Sequence, residues 1–584
     1  KMKVSASQPA LDRLSIRFNK RGHRDTKGKM RVVRSENDIK QIRNPMKNIM
    51  MRVPMYAIHG MNMRAISRIE SRGSMGSGIS QQDFSETVTT EADMLIEKTI
   101  KRQHCTPVLS VVVISVLMGA INFGYNTSVL NTPEFVIRTS LDSEGGYVDD
   151  FSWAIIVSIF CMGGLIGSTL APPILDTVGR KTFMFFNGVF LTVCLIFQAC
   201  SMSVMWLVMA RLMIGVSCGG NTVAVPLYLG EIAPVNLRGM LGTLNQFAMV
   251  VGILLAQVLG KPLGSDPEWR YLLAIGAIFS SAQVCLSVCV PESPRWLVMN
   301  NRIPEAEKTL ELLRGTDEDA KKYIEIEVES MLELAEEEKQ EMSVTSLVRK
   351  PTLRFPFMVG VALQLFQQWS GINAVFYYST GFFASAKFAD PYLGTVLCGF
   401  VNVLATGFAV ELMDRAGRKA LLTLSALGMT LSSILLTFSL VASNEFAVEL
   451  GYIEVMGVLS YVAFFEFGLG PIPWAITAEL FGAVERATAM GACSAVNWIA
   501  NFIVGLTFPA MNGALGSYTF LPFALVTFFA MLFSIWYVPE TKGKTLAEIR
   551  ESMQAKKDDT VTKDKEPLMK EMSSDLKSME DGVY

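Results

Sequence analysis

The sequence predicts an all-α integral membrane protein, with twelve transmembrane helices in two pseudo-symmetric six-helix bundles. Three observations carry this reading. Half of the 584 residues are hydrophobic and only 18% are charged, whereas soluble domains carry roughly a quarter. The apolar residues gather between residues 107 and 538 in runs of about 20, the length that crosses a hydrocarbon core. Second, phrases recur at a near-constant offset. Glu231 and Arg238 lie seven apart, as do Glu479 and Arg486, and the two pairs are offset by 248 residues. Pro291-Glu292-Ser293 and Pro539-Glu540-Thr541 share that offset, and Asp176-Thr-Val-Gly-Arg-Lys181 returns as Asp414-Arg-Ala-Gly-Arg-Lys419 at an offset of 238. A duplicated membrane unit follows, and a site between such repeats is the architecture of secondary transporters. Third, basic loops alternate with acidic or neutral ones. Arg180-Lys181, Arg238, Arg349-Lys350, Arg415, Arg418, Lys419 and Arg486 fall on one side, and Asp142 to Asp150 and Ser443 to Phe446 on the other. The positive-inside rule then places both termini in the cytoplasm.

In chain order, residues 1–104 form a basic segment with 21 Lys/Arg against 10 Asp/Glu, expected to be disordered and cytoplasmic. The first bundle, within 105–290, has its spans near Pro107–Leu130, Phe151–Leu175, Thr182–Cys200, Val204–Leu229, Met240–Gly260 and Tyr271–Val290. A cytoplasmic linker, 291–350, carries Leu310, Leu313 and Leu332 at helical intervals among Glu and Lys, and reads as short helices. The second bundle, 351–538, has spans near Phe355–Phe383, Tyr392–Met413, Ala420–Ala442, Ile453–Ile476, Ala487–Met511 and Phe520–Val538. The remainder, 539–584, is a cytoplasmic tail, expected to be disordered after Leu546.

The residue inventory narrows the chemistry. All three histidines lie in the first 104 residues, and the nine cysteines lack metal-ligand spacing. The cysteines read as small buried hydrophobes. No nucleophile–base set and no phosphate-binding glycine loop appears, so an enzyme is not expected, nor a cofactor, a metal or a nucleic-acid partner. Within the apolar runs the polar residues are mostly amides. Gln246 and Gln257 share a helix face, as do Gln364, Gln367 and Gln368, and Gly371 offers a break that turns Asn373 back toward them. Asn402, Glu466, Trp474, Asn497, Trp498 and Asn501 follow. Single Asn and Gln residues in spans often serve as glue between helices. As a set in both halves, amides that donate and accept, beside aromatic faces, suit a hydroxyl-rich ligand. At the basic side, Asp176, Arg180, Glu231, Arg238, Glu292 and Arg295 are placed to form a cross-helix ion network. Asp414, Arg418, Glu479, Arg486 and Glu540 mirror it, and both networks read as gates rather than as charges snorkelling singly to the interface.

These motifs resemble the facilitative hexose transporters of the sugar porter family, in the major facilitator superfamily. The likeness runs from Pro107 to Ile549. It rests on Phe123-Gly-Tyr-Asn-Thr127, Gly179-Arg-Lys181, Arg211-Leu-Met-Ile-Gly215, Pro226-Leu-Tyr-Leu-Gly-Glu231, Arg238-Gly-Met-Leu-Gly-Thr243, Pro291-Glu-Ser-Pro-Arg-Trp-Leu297, Gln367-Gln-Trp-Ser-Gly-Ile-Asn373, Pro471-Ile-Pro-Trp474 and Pro539-Glu-Thr-Lys-Gly543, together and in order. The resemblance implies that Gln257, Gln367, Gln368, Asn373, Asn402, Glu466, Trp474, Asn497 and Trp498 contact a sugar, with Phe376 and Phe465 as aromatic walls. It also assigns the duplicated charges to gating salt bridges. Proton-coupled relatives carry an acid in the first span where this chain has Asn126. An amide cannot exchange a proton near neutral pH, so uniport is favoured over symport. Two departures stand out. Phe366 replaces a small hydroxyl residue of the glucose-preferring pattern, which keeps fructose or mixed hexose transport open. Leu469 replaces a proline, which is expected to stiffen the tenth span.

The sequence reading is therefore a hexose uniporter working by alternating access in a bilayer, with the plasma membrane as its expected location. Its rivals are a proton-coupled sugar symporter and a sugar sensor that does not transport.

Overall fold

The computed structural model describes residues 106–143, 147–234, 237–337, 343–385, 390–446 and 450–553. The basic head and the end of the tail lie outside these residues. Among the described residues all regular structure is helical. The first six spans are α1 (Pro107–Ser128), α3 (Asp150–Val178), α4 (Arg180–Ala199), α5 (Val204–Ile232), α6 (Arg238–Gly260) and α7 (Trp269–Ser287), with a short α2 (Glu134–Ser143) between the first two. The linker supplies α8 (Pro294–Met299), α9 (Ile303–Arg314), α10 (Glu318–Glu337) and α11 (Val344–Arg349). The second half contains α12 (Pro351–Trp369), α13 (Ile372–Ser385), α14 (Pro391–Ala416), α15 (Arg418–Phe446), α16 (Gly451–Phe467), α17 (Ile472–Glu479), α18 (Ala483–Leu515) and α19 (Leu521–Trp536).

Ten of the described helical stretches are long and apolar enough to cross a bilayer, with α16 and α17 counted as one. The shorter apolar α19 and the broken pair α12–α13 bring the spans to twelve. Side-chain oxygens start several helices where the sequence offers them. Thr106 accepts from Leu109 N–H at 3.1 Å, Asp149 from Ser152 at 2.9 Å, and Asp390 from Leu393 at 3.3 Å, which satisfies donors that a helix start leaves bare.

In the first half α3 packs on α5, α1 on α6, and α4 on α7. Small residues permit these approaches, since lipid gives helices no hydrophobic reason to associate and close backbone contact must supply the attraction. A methyl group on Gly163 would sit 2.1 Å from the Leu212 carbonyl oxygen, and one on Gly219 would sit 2.2 Å from that of Gly164. In the second half α15 packs on α16 and α19, α14 on α16, and α12 on α18. The halves meet along α3 with α18 and along α6 with α14.

In the linker α8 and α9 dock on the first half, whereas α11 packs against α12 and α18 of the second. Leu310 and Leu313 are buried as their spacing predicts, whereas Leu332 is exposed. Thr106 Oγ1 donates to the Leu313 carbonyl at 3.2 Å, and Arg314 bonds the Ile232 carbonyl at 2.7 Å and Glu327 at 2.7 Å.

Two expectations need correction. Residues 546–553 are helical, not disordered, because Ile549 and Met553, one turn apart, are both buried. The tenth span is not stiffened by Leu469. It breaks between α16 and α17, where Gly468 takes φ −153° and ψ −68° and Pro471 has no N–H. Freed from the helix, the Leu469 N–H donates instead to Ser425 Oγ of α15 at 3.0 Å.

Candidate functional site

Inside the spans an amide cluster is built on three elements of the second half. Gly371, at φ +85°, interrupts the seventh span, a backbone conformation that favours glycine. The break lets Asn373 fold back, and its Nδ2 donates to Gln368 Oε1 at 2.6 Å. Gln368 Nε2 in turn donates to Asn497 Oδ1 at 3.0 Å. Asn497 Nδ2 donates to Gln364 Oε1 and Gln367 Oε1, both at 2.7 Å. Gln367 Nε2 reaches the carbonyls of Leu469 and Gly470, at 2.9 and 2.6 Å, in the break of the tenth span. Two interrupted helices and α18 are thus joined by amides alone. The predicted helical face of Gln364, Gln367 and Gln368 is the one that meets Asn497.

Around this cluster the remaining predicted residues fall at different distances. Glu466 is buried and accepts from Thr406 Oγ1 at 3.0 Å, and Thr406 also bonds the Asn402 carbonyl one turn earlier. Asn402 and Gln257 are fully buried, and both polar atoms of each amide lack a hydrogen-bond partner within the protein. They lie on the two helices that face each other across the halves, α14 and α6. A methyl group on Gly399, beside Asn402, would meet Gln257 Oε1 at 2.0 Å. Trp498 is buried and edges onto Phe123 of α1 and Phe160 of α3, at 5.8 and 6.3 Å between ring centroids, so its indole belongs to the junction of the halves. Trp474 is half-buried on α17. Phe465 and Phe376 are buried. The Phe376 carbonyl, however, is engaged by Asn131, which the sequence reading passed over. Phe366 turns its ring onto Phe533 of α19, at 5.4 Å, on a different side of α12 from the face that meets Asn497.

Several contributors had a weak signal or none. Thr406 is one turn from Asn402, so their shared face was readable. The hydroxyl of Tyr377 donates to Asn501 at 3.1 Å, and that of Tyr461 donates to the Ser370 carbonyl. Tyrosines within an aromatic-rich span give no sequence hint of such partners.

At the basic end the charges sort within each half. Arg180 grips Glu231 through two parallel bonds, 2.9 Å from Nε and 2.8 Å from Nη2, with both side chains buried, and touches Asp176 at 3.3 Å. Glu231 therefore pairs with Arg180. The side chains of Arg238 and Asp414 lie outside those described. Glu292 caps the start of α4 by accepting from the backbone N–H groups of Arg180 and Lys181, at 2.8 and 3.1 Å. A helix N-terminus is a natural seat for an anion. The second half repeats the design: Glu540 accepts from Arg418 N–H at 3.0 Å and Lys419 N–H at 3.2 Å, and Arg418 meets Glu479 at 3.2 Å. Burial opposes ionisation of Glu540, but its backbone donors outweigh this and hold the carboxyl below its usual range. Arg486 departs from the expected pairing and donates to the Phe481 carbonyl at 3.3 and 3.2 Å. Arg295 sits on α8, next to Pro294 and Trp296. Among the described residues no cluster of His, Cys, Asp and Glu could hold a metal ion.

Comparisons with known proteins bear on this arrangement. Residues 111–553 match the family model described as "Sugar (and other) transporter". The solute carrier family 2, facilitated glucose transporter member 3, of Ovis aries is 39% identical over 484 residues, covering 80% of this chain and 97% of that one. Its counterpart in Oryctolagus cuniculus is 40% identical over 493 residues, covering 80% and 97%. Among solved structures, the partially occluded inward open conformation of the xylose transporter XylE from E. coli aligns with a TM-score of 0.65 and 25% identity, over 75% of this chain and 100% of that one. The proton:xylose symporter XylE bound to 6-bromo-6-deoxy-D-glucose aligns at 0.62 and 26%, over 76% and 98%.

Proposed function

Since the chain belongs to the sugar transporter family, we propose that it is a facilitative hexose uniporter that carries glucose through the bilayer by alternating access. One observation carries the reading most directly. Gln257 and Asn402, fully buried on the two helices that pack across the halves, hold four amide atoms without a protein partner. Leaving a buried polar group unpaired costs about 1–3 kcal/mol, and a ring of hydroxyl groups supplies both donors and acceptors. The sugar contacts proposed are Gln257, Gln367, Gln368, Asn373, Asn402, Glu466, Trp474, Asn497 and Trp498, with Phe376 and Phe465 as walls. Amides orient the hydroxyls, while indoles offer flat faces to the ring's C–H edges.

The two breaks suit a moving site. Gln367 is shared between the amide cluster and the backbone of the tenth span. A sugar that draws its amide away changes what holds that break. The basic end is read as cytoplasmic, with both termini on that side and the protein in the plasma membrane. There the charge networks hold each half rigid at its turns while the halves rock.

Uniport is supported at Arg211. Its guanidinium lies over the Phe160 ring at 4.6 Å and donates to the Asn126 carbonyl at 3.0 Å, and among the described residues no carboxylate pairs with it. A proton carrier needs a group that titrates there, and Asn126 does not. In reconstituted vesicles, glucose uptake is expected to persist when a protonophore dissipates the proton gradient, and to fall at least tenfold in Gln367→Ala and Asn373→Ala. Uptake that collapses with the gradient establishes symport instead, and vesicles that move no monosaccharide defeat the transport reading. Competition by fructose, galactose and inositol settles the preferred hexose.

A further inference from the structure

At the end opposite the basic networks the two halves are pinned at two places. One lies between α1 and α13. Asn131 Nδ2 donates to the Phe376 carbonyl at 2.9 Å and to Ser379 Oγ at 2.8 Å, and Asn131 Oδ1 accepts from Thr380 N–H at 3.0 Å. The other lies between α6 and α14 and is built from residues that the sugar site does not use. Lys261 follows the last residue of α6, and its Nζ lies 2.9 Å from Asp390 Oδ2. The same ammonium stands 4.9 Å from the centroid of the Tyr392 ring, and Tyr392 OH donates to the Val258 carbonyl at 2.6 Å.

Each partner is pre-set by its own helix. Asp390 caps the start of α14, and Lys261 sits at the carbonyl end of α6, where a cation is favoured. Val258 is one turn before Pro262, which has no N–H to bond its carbonyl. The Tyr392 hydroxyl, from the other half, supplies the missing donor. Parting the contact returns the exposed Val258 carbonyl to water and leaves Asp390 its own cap on α14, so neither helix need unwind. Both charges are partly exposed, at 58% and 44%, so the pair is modest and screened by salt, a clasp that yields. The ammonium's hydrogen bond holds the Asp390 carboxyl below its usual range.

We propose that Lys261, Asp390 and Tyr392 form an outer clasp that holds the closed side of the transporter and opens whenever the site faces outward. The proposal rests on the alternating-access reading above. It assigns the three residues a positioning role, acting on the balance between outward- and inward-facing states without touching sugar.

The test places nitroxide labels at Tyr271→Cys on α7 and Tyr452→Cys on α16, both exposed. The full chain is used, with Cys105, Cys200, Cys285 and Cys289 replaced by serine, in lipid vesicles without sugar. The long-separation population is expected to rise about two- to fivefold in Lys261→Gln and in Asp390→Asn, which keeps a capping side chain. The double variant Lys261→Gln/Asp390→Asn should match either single one, since only one interaction is lost. Tyr392→Phe should act in the same direction. Raising the ionic strength should open the unmodified clasp and leave the neutralised variants unmoved. Separations that stay the same in every variant, or single effects that multiply in the double, overturn the clasp. Because no sugar is present, this result stands apart from the flux assay that judges the transport reading.

Discussion

The two halves share a repeat yet are held together by different means. The first is zippered by glycine: Gly163 and Gly219 let α3 and α5 touch backbone to backbone, and Gly124 and Gly252 do the same for α1 and α6. Its basic-end pair, Arg180 with Glu231, is buried and two-pronged. The second half breaks two of its spans, at Gly371 and at Gly468–Pro471, and fills the space between them with amides. Its pair, Arg418 with Glu479, reaches one carboxylate oxygen from both Nε and Nη2, at 3.3 and 3.2 Å, and is more exposed. Duplication preserved the turn chemistry and let the interiors diverge, so that one half packs through close glycine contacts and the other holds the amide cluster and the two helix breaks.

Four experiments break or sharpen this contrast. The largest effect is expected from Arg180→Ala, which strands a buried Glu231 carboxylate at a cost of about 3–5 kcal/mol. Arg418→Ala in the looser pair should cost about 1 kcal/mol or less. Thermal unfolding of the purified variants compares them, and equal losses erase the distinction. Next is Gly163→Ala, whose methyl group meets a carbonyl oxygen at 2.1 Å; overpacking of this kind costs about 1–3 kcal/mol. Gly491→Ala, with open space around it in the second half, should be neutral or slightly stabilising in the same assay.

A smaller effect, on function, is expected from Asn497→Ala. It removes the donor shared by Gln364 and Gln367 and should weaken sugar affinity about tenfold, or about 1.4 kcal/mol, with folding retained. Unchanged affinity in uptake measurements would move the site away from the amide cluster.

The fourth experiment concerns the seam between the halves. Glu134 on α2 lies 4.0 Å from the position of a methyl group on Gly381 of α13. Burial raises its carboxyl from 4.5 to about 7, with Arg138 opposing and Asp150 adding to the rise. The folded protein then binds a proton there that the unfolded chain has already lost. Stability is fully present below the unfolded value and falls as pH rises through the folded one. Stability should therefore fall between pH about 4.5 and 7, read as a falling melting temperature. Glu134→Gln should flatten that profile, and a profile unchanged by the substitution removes Glu134 as its source.

Much of this was legible in the chain. The spans, their number and the repeat follow from residue type and spacing. Gly179 and Gly417, both at positive φ, each precede the N–H groups that Glu292 and Glu540 cap, and the duplicated motifs marked all four. The shared face of Gln364, Gln367 and Gln368 followed from helical periodicity, and the return of Asn373, which an unbroken helix would point away, followed from the break that Gly371 offers. The Leu469 N–H bond to Ser425 was not readable, because it depends on how α15 passes the broken tenth span. Nor was the direction of the Phe366 ring, which the packing of α19 against α12 decides.

By itself the sequence determined a twice-repeated helical membrane protein with amides where hydrocarbon would be expected, because bilayer thickness and helical period act on neighbours along the chain. Partner choice was decided by tertiary structure alone. Arg180 meets Glu231 across 51 positions, and Tyr392 bonds Val258 across 134. Such pairings depend on which helix ends come to lie side by side, and no local pattern of residue types encodes that.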